Sequence, residues 1–484
     1  MIYPVKYPKQ TSWKIIYGNY QGMEKHAVDL LSREMGKRLI REEGAYKLYV
    51  LPCEQESGEI TQNAVVVKLF EESEIARRFV TEEEVNENDY VVKVVENPVN
   101  PDCVIIVITA KTEKNLFYGA SAFLRAYPTD CAPLHGGLKI PQWIFDYKMQ
   151  TYTLNEKAKI ATRSVFTWGH PINDYRAYIR NLASLRLNQL ILWNDYLPLN
   201  AKEVVDYAHE FGLEVLWGYS WGWDERRVNG KLDLSQLPKI KEKVLRIYEE
   251  KFKGTGADGI YFQSFTETAE QTVDGVPIAR LVTDFVNDTV ASFYQKYPDI
   301  KIQFGLHATS VKAHLDELAR IDKRVEIVWE DCGAFPFDYN PVVTDEKKFE
   351  ETLELTRKII KLRGDAPLGL VMKGFMTLDW ETFVSQSGPF VMGENAKEII
   401  QADAALRKPI WQMFEAGWIT YGEYALRLIR EAQRLTNGKI NICMAGLFEG
   451  KISLPFAMCA EMMFDPERDF KRILYRVSAQ SAVR

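Results

Sequence analysis

The sequence predicts an α/β protein: a (β/α)8 TIM barrel preceded by a small α+β domain and followed by a helical C-terminal extension. Three observations carry this. The 484 residues suffice for one large barrel with additions. From residue 160 the rhythm becomes strand, turn, helix, repeated, with continuous apolar runs of the kind expected for strands buried on both faces. The Gly-rich first turn that usually marks the competing fold, a doubly wound open sheet, is missing.

Residues 1–150 read as the first domain. Short strands are expected at Trp13–Tyr17, Lys47–Leu51, Ala64–Phe70, Tyr90–Val95 and Val104–Thr109, with helices over Met23–Leu39 and Lys114–Tyr127. Helices on one side of a mostly antiparallel sheet are the expected arrangement. The barrel is assigned to residues 151–394. Its eight strands are expected at Ser164–Trp168, Gln189–Asn194, Glu214–Trp217, Gly259–Gln263, Lys301–Gly305, Val325–Trp329, Leu368–Lys373 and Pro389–Gly393. Helical patterns fill the gaps over Asp174–Leu187, Ala201–Phe211, Leu237–Phe252, Val276–Tyr297, Val311–Ile321 and Glu346–Arg363. Residues 395–484 read as helical, through Ala396–Leu406, Tyr421–Leu435, Phe456–Met463 and Phe470–Val477.

Composition excludes several classes. The net charge of −6, without a long block of like charge, advertises no surface for a nucleic-acid backbone. The longest strongly apolar run, Val104–Ile108, is far short of the roughly 20 residues that cross a bilayer. The start is broken by Pro4 and Pro8 and does not resemble a secretory leader, so a cytoplasmic location is expected. Cys53, Cys103, Cys131, Cys332, Cys443 and Cys459 show no CxxC spacing and read as thiols in a reducing compartment. The six histidines form no HxH or HExxH pattern, so no metal and no cofactor is expected.

Active sites of such barrels lie at the carboxyl ends of the strands. Here those ends read Trp168-Gly169-His170, Trp193-Asn194-Asp195, Trp217 through Trp221 to Trp223, Gln263 to Glu267, His307, Trp329-Glu330-Asp331, Lys373 and Asp379-Trp380-Glu381. Aromatic rings beside carboxylates and amides make a surface that stacks on sugar rings and hydrogen-bonds their hydroxyls. Glycoside hydrolysis needs one carboxylic acid to protonate the leaving oxygen and a second carboxylate across the sugar. Glu267, after the fourth strand, suits the acid; a plain helix start beside Thr266 and Glu270 is the bland reading of that segment. For the base, Glu330, Asp331, Asp338, Asp379 and Glu381 all stand at strand ends, and the aromatic settings of Asp338 and Asp379 rank them first.

Asn115 to Leu124, following an apolar strand, resembles the small domain that precedes the catalytic barrel in β-N-acetylhexosaminidases and α-glucuronidases. The barrel is similar to that of the α-glucuronidases of glycoside hydrolase family 67, whose fourth strand begins Asp-Gly and ends in Ser-Glu with Glu as general acid. Asp258-Gly259 leads here to Thr266-Glu267, so the resemblance implies that role for Glu267 alone. The hexosaminidases carry an adjacent Asp-Glu, and Thr266 replaces that Asp.

The expectation is therefore an exo-acting, inverting, α-glucuronidase-like glycosidase acting on an oligosaccharide or glycoside. Glu267 would be the acid and Asp338 or Asp379 the base. Trp168, Trp193, Trp217, Trp221, Trp223, Trp329 and Trp380 would be sugar platforms, and Asn194, Asp195, Gln263, His307, Glu330, Asp331 and Lys373 would line the sugar. Three alternatives stand beside it: a carbohydrate-binding barrel without turnover, an N-acetylhexosaminidase-type enzyme, and an aldolase or isomerase using Lys373. The helical end offers a surface for a homodimer.

Overall fold

The computed structural model describes residues 13–39, 53–56, 58–126, 151–167, 172–225, 230–333, 343–373, 388–445 and 453–478. The described residues begin with β1 (Trp13–Tyr17), α1 (Gly22–Leu39), β2 (Cys53–Gln55), β3 (Asn63–Leu69), α2 (Glu74–Phe79), α3 (Glu82–Glu87), β4 (Tyr90–Glu96), β5 (Val104–Ala110), α4 (Glu113–Ala126) and β6 (Tyr152–Glu156). These strands form one sheet in the order β2-β1-β3-β5-β4-β6.

Two expectations for this sheet are corrected. It is mixed: β1 pairs in parallel with β2 and β3, and β3 with β5, while β4 is antiparallel to β5 and β6. Crossovers through long segments such as Tyr17 to Cys53 permit parallel pairing, which a hairpin could not. Helices also cover both faces. Ile75, Ala76, Val80 and Val85 of the α2–α3 region pack on Ile16, Val66, Val91 and Ile105, while α1 and α4 cover the opposite face, Ile15, Val65, Val92 and Ile106. At Gly119 a Cβ would come within 3.1 Å of Ile108 and 3.2 Å of Tyr90, so glycine lets α4 close on the sheet. The expected strand Lys47–Leu51 lies outside the described residues.

The barrel follows with β7 (Thr162–Phe166), α5 (Tyr175–Ser184), β8 (Gln189–Trp193), α6 (Ala201–Glu210), β9 (Glu214–Ser220), α7 (Leu237–Ile247) and β10 (Gly259–Gln263). A short hairpin, β11 (Thr272–Val273) and β12 (Val276–Pro277), leads into α8 (Ile278–Lys296) and β13 (Lys301–Leu306). A 3-10 segment (Lys312–Arg320), β14 (Glu326–Trp329), α9 (Glu346–Arg363), β15 (Leu368–Val371), α10 (Lys397–Thr436) and β16 (Asn441–Ala445) complete it, and α11 (Leu454–Phe464) and α12 (Phe470–Ser478) end the described chain. Side chains start several of these helices: Asp174 accepts the Ala177 amide at 2.8 Å and Asp345 that of Lys348 at 2.9 Å.

Strands β7, β8, β9, β10, β13, β14, β15 and β16 close into a parallel barrel. Its eighth strand is β16, which pairs with β7 from Asn441↔Thr162 to Ala445↔Phe166, so the expectation of Pro389–Gly393 is overturned and the barrel runs past residue 394. A proline cannot donate to a ladder, and residues 388–393 instead form a loop whose Met392 exchanges hydrogen bonds with the Asn200 side chain at 2.9 and 3.0 Å. Consequently α10, one helix of 40 residues through Pro409, is the connection between the seventh and eighth strands. Among the described residues no helix is long and apolar enough to cross a membrane, and Cys53, Cys103, Cys332, Cys443 and Cys459 form no disulfide with one another.

The amino end of the barrel interior is polar. Ser164 donates to Asn441 at 2.6 Å, Asn441 and Gln303 donate to Gln189 Oε1 at 3.1 and 2.8 Å, and Gln303 donates to Glu326 at 3.1 Å. Burial pushes the Glu326 carboxyl up.

One ionic cluster joins sheet, barrel and C-terminal helices. Arg186, which follows α5 with a left-handed φ of +65°, sends its buried guanidinium to Tyr90 Oη at 2.8 Å, to Glu156 at 2.9 Å and to Glu461, and lies 3.8 Å from the Phe464 ring centroid. Arg468 bridges Glu461 at 2.6 Å and Glu156. Burial opposes ionisation of both acids, but Arg186 and Arg468 hold Glu156 below and Glu461 well below the usual carboxylate range. Removing one partner strands the others in the interior: Glu461→Ala should lower the urea midpoint, reflecting a loss of about 3–5 kcal/mol.

Candidate active site

Alternation along the strands decides which side chains reach the mouth. In β10, Tyr261 and Gln263 point into the barrel while Phe262 points out to stack on Trp221 (3.7 Å) and Phe304 (4.9 Å). In β9 the inward residue is Gly218, and Trp217 and Tyr219 face outward: the Trp217 indole donates to Thr255 at 3.1 Å, and Tyr219 to the Val244 carbonyl of α7 at 3.3 Å. Trp221 lies between Phe262 and Phe293 of α8, fully buried. Trp329, alternating with the inward Glu330, is also fully buried. Three of the expected sugar platforms, Trp217, Trp221 and Trp329, are therefore core residues between barrel and helices.

Trp193 and Trp223 do reach the mouth. Trp193, inward at the end of β8, stands over Gly218, where a Cβ would come within 2.4 Å of its ring; only glycine leaves it that place. Its ring is nearly perpendicular to Trp223 (6.3 Å, 82°) and to Tyr261 (6.4 Å, 79°). Asn194 is partly buried and Asp195 exposed beside them. Trp168, Asp338, Asp379 and Trp380 lie outside the described residues.

Glu267 sits in an irregular segment after β10; no helix begins there. Its side chain is 23% exposed, accepts a hydrogen bond from the Trp223 indole N–H, and lies 3.9 Å from His307 Nε2. The neighbouring Thr266 is buried, its hydroxyl accepting the His307 amide at 3.3 Å and its carbonyl the Ser310 hydroxyl at 2.6 Å.

Below Glu267 lies a dense buried cluster. Glu330, fully buried, accepts from Gln263 Nε2 at both oxygens (2.8 and 2.7 Å) and from the Tyr261 hydroxyl, and is 3.2 Å from His307 Nε2. Asp331 receives the other imidazole nitrogen, Nδ1, at 2.9 Å and the Ala308 amide at 3.0 Å, with Lys373 Nζ at 4.0 Å. Burial works against charge on His307, yet Asp331, Glu267 and Glu330 outweigh it and push the imidazole up to about 10. Burial alone would raise Asp331, but the His307 charge, Lys373 and the Ala308 amide hold it below its ordinary value. Burial pulls Lys373 down, opposed by Asp331, Glu330 and Glu267.

The structure thus brings together Glu267, Trp193, Trp223, Gln263, His307, Glu330, Asp331 and Lys373. It adds Tyr261 and Gly305, which sequence reasoning missed. The same-face spacing of Tyr261 with Gln263 and a glycine inside an apolar strand were the available signals. A Cβ at Gly305 would lie 2.1 Å from Glu330 Oε1 and 2.3 Å from Tyr261 Oη, so the cluster needs glycine there.

The chain matches no protein-family model and no curated protein. Among solved structures it is similar to a GH138 enzyme targeting pectin rhamnogalacturonan II, at 10% identity over 95% of this chain and 51% of that one, with a TM-score of 0.49. It is also similar to the GH20 exo-β-N-acetylglucosaminidase of Vibrio harveyi (11% identity, 99% and 74% covered, TM-score 0.48) and to a GH115 4-O-methyl-α-glucuronidase with specificity for decorated arabinogalactans (11%, 94% and 56%, 0.43). The chain spans about half the length of the first of these. These neighbours are glycoside hydrolases of several families; at such identities and scores the likeness carries no argument about chemistry.

Two measurements check the cluster. Gly305→Ala should destabilise by roughly 1–3 kcal/mol in urea unfolding, because Glu330 or Tyr261 must leave its place. Stability contributed by the His307 charge is complete below its ordinary value of 6.5 and is lost as pH rises toward about 10. Wild-type protein should therefore unfold at lower urea at pH 10 than at pH 7, by a margin that His307→Asn reduces.

Proposed function

We propose that the protein is a glycoside hydrolase whose acid is Glu267. The observation that carries this reading is the setting of Glu267. It is a partly exposed carboxylate at the end of the fourth strand, fixed by the Trp223 indole, beside a perpendicular aromatic corner and 3.9 Å from a buried histidine nitrogen.

In this reading the sugar ring lies against Trp193 and Trp223, and Glu267 protonates the glycosidic oxygen as the bond to the anomeric carbon breaks. Negative charge then develops on Glu267 near the His307 imidazolium, which is already in place and needs no reorganisation to stabilise it. Glu330 is unsuited to activating water, since Gln263, Tyr261 and His307 surround it. We assign the base to Asp338 or Asp379, which follow the sixth and seventh strands in sequence, and an inverting, exo-acting outcome to the pair.

Of the finer readings, the N-acetylhexosaminidase type is the less supported: Thr266 supplies no carboxylate beside Glu267, and its hydroxyl is committed to the His307 amide. The α-glucuronidase-like preference rests on the Asp258-Gly259 to Glu267 resemblance. Asp258 itself lies at the amino end of the barrel, accepting the Val215 amide at 2.8 Å, and so takes no part in the reaction.

The test is release of sugar from a panel of aryl glycosides bearing uronosyl, hexosyl, pentosyl and N-acetylhexosaminyl groups. Glu267→Gln should lose on the order of 10²-fold or more in kcat on whichever member is cleaved. Undiminished turnover would move the acid elsewhere, and a wild type that binds sugar but cleaves none would be a carbohydrate-binding barrel.

A further inference from the structure

Glu330 is an expensive residue for a barrel interior: a carboxylate with no solvent exposure, which the reaction outlined above does not use. Its surroundings are built around it. Tyr261 and Gln263, on the same inward face of β10, supply three hydrogen bonds to its two oxygens. Gly305 on β13 leaves the space that the Glu330 carboxylate and the Tyr261 hydroxyl occupy. The remaining neighbour is His307 Nε2 at 3.2 Å, the same nitrogen that lies 3.9 Å from Glu267. A carboxylate has about four lone-pair positions, and here four polar contacts converge on it.

We propose that Glu330 is a positioning residue for the proposed reaction: locked by Tyr261 and Gln263, it keeps His307 protonated and at a fixed distance from Glu267, and so sets the pH range in which Glu267 acts. This rests on the glycoside hydrolase reading only for its kinetic consequence; the charge state of His307 is a property of the protein alone.

The groups facing His307 come from three elements. Glu267 follows β10, Glu330 and Asp331 follow β14, and Lys373 follows β15; Tyr261 approaches through Glu330. Three carboxylates favour the imidazolium, while burial opposes it. Asp331 holds Nδ1 and so orients the ring, leaving Nε2 3.2 Å from Glu330 and 3.9 Å from Glu267. Replacing Glu330 by a neutral isostere removes one of the three supports and keeps the shape. Tyr261→Phe keeps the charge but releases one of its anchors, and so should act in the same direction with smaller effect.

The experiment is a nitrogen-detected NMR titration of the histidine rings in the full chain, with the His307 signals assigned by their loss in His307→Asn. In wild type, His307 should remain doubly protonated beyond pH 9. In Glu330→Gln its deprotonation should move at least one pH unit lower, and in Tyr261→Phe by less. If a cleaved substrate is known, the alkaline limb of the kcat profile should move to lower pH with it, while KM stays within about twofold. A purely structural role would lower the folded fraction and leave both the titration and the profile in place. An unchanged His307 titration in both folded variants overturns the proposal. A shifted titration in a protein that cleaves no glycoside supports the positioning role and overturns the hydrolase reading instead.

Discussion

The organisation of the site depends on the closing of β16 onto β7. Once the barrel is shut, every strand residue is committed either to the enclosed interior or to the layer beneath the helices, and the alternation cannot drift. Tyr261 and Gln263 go inward because Phe262 goes out, where Trp221 and Phe304 stack on it and Phe293 stacks on the far side of Trp221. The same rule makes Glu330 an inward residue and Trp329 a core one. A slip of one position in β10 would expel both donors that hold Glu330 and bring an aromatic ring into their place.

Within that frame the chemistry is a problem of charge in a confined space. Glu330, Asp331 and Lys373 are buried to a degree that none could sustain alone: His307 lies against the two carboxylates, and the carboxylates in turn support Lys373. The glycines at 218 and 305 serve the same end by subtraction: where no Cβ stands, the Trp193 ring or the Glu330 carboxylate can occupy the volume. Glu267 differs from its neighbours by remaining in partial contact with solvent, as the proposed role of proton donor requires.

Much of this was legible in the chain itself. Seven strands follow from continuous apolar runs, and Glu267, Gln263, His307 and Glu330 follow from counting just past them. The eighth strand was hidden because Asn441–Ala445 sits between helical patterns, so a local reading assigns it to a helical end. The three misplaced tryptophans share one cause: proximity to a strand end says how far along the barrel a residue lies, but not toward which side it points. Parity must be anchored to a known inward residue, and Gln263 provides that anchor for Tyr261. In the first domain, hydrophobic runs locate strands without saying which partner each will meet, so parallel pairing of β1 with β3 had no local signature.

The cluster around Arg186 also bears on how such a chain can change over evolutionary time. Its guanidinium comes from the first barrel helix's exit, one of its acids from the last strand of the preceding sheet and the other from the helix after the eighth strand. These segments are distant in sequence, yet none can be exchanged without orphaning a charge in the others' interior. The leading sheet is thus no transferable cassette: recombination that replaced it would have to carry Glu156 along or alter Arg186, Glu461 and Arg468 together, so the two ends of the chain are constrained to be inherited as a unit.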